Sequence, residues 1–166
     1  SNIFPYDKSL VNMGASYVFV YIFVYALAMA FISVTLLGIL FFPMSIVSLM
    51  YKAVLLGARL AHLTFSDLLM LSPVLILEGE AFVLAAFIGT IVGISWIKPN
   101  LIYPMDDLTR FDAFRKACSE LFKHYALITI LLLISAAVET LIIFQISLGM
   151  KMLIMVRGRT FWPKLL

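Results

Sequence analysis

The chain alternates long apolar runs with short polar breaks, and the runs set its elements. From Ala15 to Met50 no charged residue occurs, a run well beyond the roughly 20 residues that cross a hydrocarbon core about 30 Å thick. It must turn, and Gly38 and Pro43 are the residues that permit a turn. A first helix is predicted over about Ser16 to Leu37 and a second over about Phe42 to Leu63. Thr64, Ser66 and Asp67 then form a polar break able to cap a third helix, whose apolar part runs from Leu71 to Ile97 with Pro73 near its start. In the connection 98–124, Leu108, Phe111, Phe114, Cys118, Leu121 and Phe122 recur at helical spacing opposite Arg110, Asp112, Arg115, Lys116 and Glu120, with Asp106 or Asp107 placed to cap. That pattern predicts an amphipathic helix lying in the membrane interface. A last apolar run extends from about Tyr125 to Val156. The expected fold class is all-α: a polytopic transmembrane helical bundle of about four spans, some broken or re-entrant, plus one amphipathic interfacial helix. All of 1–166 is read as a single membrane domain, with an N-terminal extramembrane segment 1–14 and a basic tail 157–166.

Composition reinforces the membrane reading, since 64% of residues are hydrophobic, only 13% are charged and the mean hydropathy is +1.11. Soluble domains do not have this composition. The formal charge of +3 does not point to nucleic acid, because Lys and Arg flank the apolar runs instead of forming one patch. The opening stretch has Pro5, Asp7 and Lys8 and no apolar run, so it is not a signal peptide as written. Ser1 in place of Met suggests processing or an artificial boundary. One cysteine, Cys118, excludes an intrachain disulfide. Basic residues on both sides of the last run, at 98–123 and at Lys151, Arg157, Arg159 and Lys164, cannot both be cytoplasmic after one crossing. Either that run breaks and re-enters near Glu139 and Gly149, or one basic segment departs from the rule. Four crossings are the expected count, with 106–123 cytoplasmic.

The apolar runs carry charges that need an explanation. Glu78 and Glu80 lie in the third helix, Glu139 near the middle of the last run, and Lys52 inside the second. An acid near mid-membrane costs on the order of 3 kcal/mol on insertion scales, so these groups are expected to face other helices or a wet cavity. Lys52, Glu78, Glu80 and Glu139 are therefore the candidate intramembrane polar cluster, with Lys52 the expected partner of Glu78 and Glu139. Two residues apart, Glu78 and Glu80 sit about 200° apart on a regular helix, unless Gly79 relaxes it. The bland alternative for Lys52, and for Arg59 and His62 beyond it, is that they snorkel to the headgroups. Gly89 and Gly93 form a G-x-x-x-G pair continuing a small-residue stripe from Ala81 and Ala85, a pattern that lets helices approach closely. Tyr17, Tyr21 and Tyr25 recur every fourth residue, as an interfacial belt does, with ligand stacking the alternative. Glu120 and His124 are four apart, but no further ligands stand near them in sequence, so an ion pair or solvated surface is expected and no metal.

Three segments resemble the stage II sporulation protein M family of bacterial and archaeal membrane proteins. Leu131 to Thr140 reads LLLISAAVET and is similar to a closing run of the family, placing Glu139 on its glutamate. Leu71 to Phe82 reads LSPVLILEGEAF, similar to a Pro-His-Gly-x-x-Glu segment, with Glu78 on the glutamate. Lys52 to Ala58 reads KAVLLGA, where the family commonly has Asn-Gly-x-x-x-Gly. Lys52 and Ala53 replace Asn-Gly, and Val74 and Leu75 replace His-Gly. The resemblance implies a membrane scaffold, since the sporulation member is similar in role to an anchor recruiting cell-wall remodelling enzymes.

Three classes of function then compete. A non-enzymatic scaffold or anchor in the cell membrane, multi-pass, fits the resemblance and the small-residue stripe. Its expected partners are the lipid bilayer, further copies of the chain or other membrane proteins, and no nucleic acid. A small transporter or channel would use the glutamates to handle protons or cations. An intramembrane enzyme lacks support, since no H-E-x-x-H, G-x-S-x-G or aspartyl pair is present. No catalytic residue, cofactor or metal is predicted.

Overall fold

The computed structural model describes residues 14–161 other than 62, 105 and 107, and for residues 42, 59 and 146–161 the backbone alone. The sequence expectations for segment 1–13, for His62 and Asp107, for the side chains of Arg59 and Lys151, and for the basic tail fall outside what is described.

The described residues are helical, with no strand. α1 spans Ala15–Leu40, α2 Phe42–Leu60, α3 Phe65–Ile97, α4 Pro99–Ile102 and α5 Arg110–Phe161. α1, α3 and the Arg110–Gln145 part of α5 are each long and apolar enough to cross a membrane. α2, with 19 residues, reaches about 28 Å at 1.5 Å per residue, close to one hydrocarbon core.

Local chemistry sets the boundaries. α1 ends at Leu40, and Phe41 leaves helical space at φ −142° and ψ 88°; Pro43 then begins α2 where its missing N–H costs nothing. The turn is shorter than the sequence reading made it, and Gly38 lies inside the helix. α3 starts at a capping box in which Thr64 Oγ1 accepts from the Asp67 amide and Asp67 accepts from the Thr64 amide. Pro73 is therefore interior to α3, on an exposed face.

α5 differs from the expectation most. Residues 110–124 are not a separate helix but the first turns of one unbroken helix of 52 residues, about 78 Å long. It does not break at Glu139. A straight continuation cannot both lie in the interface and span, so the amphipathic stretch packs on the bundle: Ala113 and Ala117 are buried, and Trp96 meets Phe114 edge-on at 5.3 Å. Thr109 supplies the cap by accepting from the Asp112 amide, while Asp106 pairs with Lys116 at 2.7 Å.

The core is an i, i+4 stripe on each long helix. Val18, Ile22, Ala26, Ala30 and Val34 of α1 meet Ala81, Ala85, Ile88 and Val92 of α3 and Leu121, Ile128, Leu132 and Ala136 of α5. Ala26, Ala30, Ala81, Ala85 and Ala136 are small, so the backbones approach closely there. Outward positions such as Val24, Val54, Val83, Ile130 and Leu141 are more than half exposed, an apolar exterior that water does not tolerate and lipid does.

Candidate functional site

Along α1 and α3 the packing changes character. Thr35, Gly38, Gly89 and Gly93 bring the two backbones into direct contact: a Cβ added at Gly89 would lie 2.8 Å from the Thr35 carbonyl oxygen, one at Gly38 would lie 2.9 Å from the Gly89 carbonyl carbon, and one at Gly93 would run into the Gly38 carbonyl oxygen. Gly89 and Gly93 thus pack within the fold, against α1. Around this seam the backbone of α1 widens into a π-helical segment, Phe31–Leu36, of the kind that often marks functional positions. The widening leaves the Ala30 carbonyl to the Thr35 hydroxyl, at 3.2 Å, and the same hydroxyl reaches the Ala85 carbonyl at 3.3 Å. Thr35 has one proton to give, so the Tyr125 hydroxyl, 2.6 Å away, donates to it. α2 joins through Ser45, whose hydroxyl lies 2.9 Å from that of Thr90, and through Ser48, which donates to the Ser33 carbonyl at 2.7 Å. These bridges tie α1, α2, α3 and α5 together, and in the sequence they are visible only as isolated hydroxyls in apolar runs.

Below the seam the same helices part around a cavity of about 320 Å³ lined by Tyr25, Ala26, Met29, Leu49, Lys52, Ala53, Glu78, Gly79 and Phe82, among others. Ser45, Ser48, Leu49 and Lys52 recur on the one face that α2 buries, which turns Lys52 inward. Its ammonium sits 4.4 Å above the Phe82 ring centroid, a cation–π contact in a poorly solvated place. Glu78 shares the buried stripe of α3 with Val74, Ala81 and Ala85, and its charge is coupled to those of Glu139 and Lys52. Glu139 is half-buried on the α5 face that carries Leu132, Ala136 and Ile143. The Ser135 hydroxyl donates to the Val74 carbonyl at 3.4 Å and fixes the antiparallel register. One turn from that contact in opposite directions, Glu78 and Glu139 are offset by roughly 10 Å along the axis. Their coupling therefore acts across a distance through a weakly screening interior.

Glu80 does not belong to this group. It is exposed on the opposite side of α3, because α3 stays regular through Gly79 and two residues rotate a side chain by about 200°. Lys52 and Glu78 line one cavity and Glu139 is half-buried on α5; these three are the positions that the sequence motifs align, and Glu80 lies outside them. Tyr17, Tyr21 and Tyr25 are about half exposed on the outer face of α1, Tyr25 also edging the cavity. Glu120 pairs with Lys123 at 3.1 Å, and its carbonyl lies 2.8 Å from His124 Nδ1. Among the described residues no group of three His, Cys, Asp or Glu side chains is placed to hold a metal ion.

A bundle of long apolar helices, packed through small residues with ionisable side chains turned inward, defines a helical membrane protein. Residues 3–142 match the family described as Stage II sporulation protein M, and the chain belongs to that family. No curated protein and no solved structure matches it.

Proposed function

We propose that this chain is a non-enzymatic scaffold or anchor in the cell membrane, crossing it four times with α1, α2, α3 and α5, and that it holds partner membrane proteins. The observation that carries the reading is membership of the stage II sporulation protein M family over most of the chain, whose sporulation member the sequence resembles as an anchor. In this reading Lys52, Glu78 and Glu139 form an internal polar cluster that fixes how α2 and α5 sit against α3. Burying mutually coupled charges specifies one arrangement of otherwise interchangeable apolar helices.

A transporter or channel is the second reading, favoured by the cavity that Lys52 and Glu78 share. Against it stands the seam, where backbone contacts between Gly38, Gly89 and Gly93 and the Ser45 to Thr90 bridge fill the space towards which the cavity would have to continue. The test is flux in proteoliposomes carrying a pH-sensitive dye or a trapped cation indicator. The scaffold reading expects the wild type and Glu78→Gln to leak alike, at the level of empty vesicles. A gradient dissipated by the wild type and preserved by Glu78→Gln would overturn it.

A further inference from the structure

α3 presents two opposite faces, and only one is covered. The uncovered face carries Ile76, Glu80, Val83 and Phe87; the three apolar residues are 59%, 54% and 59% exposed, and Glu80 is exposed and makes no hydrogen bond or ion pair with the described residues. Spaced at i−4, i+3 and i+7 from Glu80, they form one ridge of the width that packs against a second helix. Its depth follows from α1: the neighbours Gly79 and Phe82 line the cavity together with Ala26 and Met29, which lie in the middle of Ala15–Leu40. Glu80 is thus level with the middle of an apolar span. A glutamate facing hydrocarbon there is costly, and a helix supplying a complementary charge would offset that cost.

We propose that the outward face of α3 centred on Glu80 docks a transmembrane helix of a partner protein that carries a lysine or arginine at mid-depth. The proposal rests on the scaffold reading and names the surface and the chemistry of its partner. A second copy of this chain is a poor occupant on charge grounds. Lys98, Arg110, Arg115 and Lys116 are exposed at the end of the bundle where Trp96 meets Phe114, Lys123 lies exposed about 13 Å further along α5, and Lys52 is turned into the cavity. Among the described residues, two copies placed back to back would therefore offer Glu80 no cation at its own depth.

The experiment uses the full chain, donor-labelled at its amino terminus, in phosphatidylcholine vesicles with acceptor-labelled polyleucine transmembrane peptides bearing a central Lys, Leu or Glu. Energy transfer is expected to report binding of the Lys peptide about tenfold tighter than the Leu peptide. Glu80→Gln removes that preference, and Glu80→Lys transfers it to the Glu peptide. Because Glu80 is exposed and makes no hydrogen bond or ion pair with the described residues, thermal unfolding of the Glu80 variants should match the wild type. Equal binding of the Lys and Leu peptides, or a Lys preference that survives Glu80→Gln, would overturn the proposal. So would transfer between differently labelled copies of the chain that Glu80→Leu abolishes, since a second copy would then hold the face. Glu78-dependent flux would instead remove the scaffold reading itself, so the two failures are distinguishable.

Discussion

The two ends of the contact between α1 and α3 are built on opposite terms. At Thr35, Gly38, Gly89 and Gly93 the backbones touch, and hydroxyls of Thr35, Ser45, Thr90 and Tyr125 bridge the helices. At Tyr25, Ala26, Glu78 and Gly79 the same pair of helices separates around a cavity that admits Lys52 from α2. The difference follows from side-chain size and charge. Glycine removes the atoms that would hold two helices apart, whereas a coupled lysine and glutamate need volume and cannot be compressed into a dry contact. One end fixes the fold, and the other makes room for charged side chains between the helices.

Glycine substitutions should separate the two ends most sharply. Gly93→Leu, or Gly89→Leu, forces side-chain atoms into the Thr35–Gly38 backbone, where nothing flexible can give way. Overpacking of this kind costs about 3 kcal/mol or more, and loss of the folded fraction in detergent, read by thermal unfolding, is the expected outcome. Gly79→Ala meets nothing within 4 Å, so it should be neutral or stabilise α3 by about 0.5–1 kcal/mol. Equal effects at Gly93 and Gly79 would break the comparison.

The hydroxyl bridge predicts a smaller effect with a definite order. Thr35→Val strands the buried Tyr125 hydroxyl and should cost about 1–3 kcal/mol, and Tyr125→Phe, which leaves Thr35 its bonds to the Ala30 and Ala85 carbonyls, about 1 kcal/mol. The reverse order in chemical denaturation would reject the assignment of Tyr125 as donor. The smallest effect belongs to the cavity rim. Ala53→Leu adds volume beside open space and should shift stability by no more than about 0.5 kcal/mol.

Much of this was legible from residues alone, for reasons that can be named. Charge-free runs set the helices, Pro43 and the Thr64–Asp67 box set two of their starts, and the cost of buried charge turned Lys52, Glu78 and Glu139 inward. Spacing alone cannot tell a helix-breaking glycine from one that meets another backbone, so Gly38 passes for part of a turn; its partners, Gly89 and Gly93, lie more than fifty residues along the chain. The continuity of α5 was hidden by a change in composition near Lys123, where charged residues give way to apolar ones without any residue that stops a helix. Thr35 and Tyr125 were missed because a hydroxyl in an apolar helix can bond its own preceding turn, as Thr129 and Thr140 do, and sequence does not distinguish the two uses.

The central claim is that the space around Glu78 ends at the seam. It is tested by Glu78→Cys in a Cys118→Ser background, exposed to a membrane-impermeant thiol reagent from each side in turn, with Asp106→Cys marking the face beyond the seam. The account predicts that reagent on the side that modifies position 106 leaves position 78 unmodified. Modification of position 78 from that side would contradict it, because a water-filled path would then pass between Gly38 and Gly93.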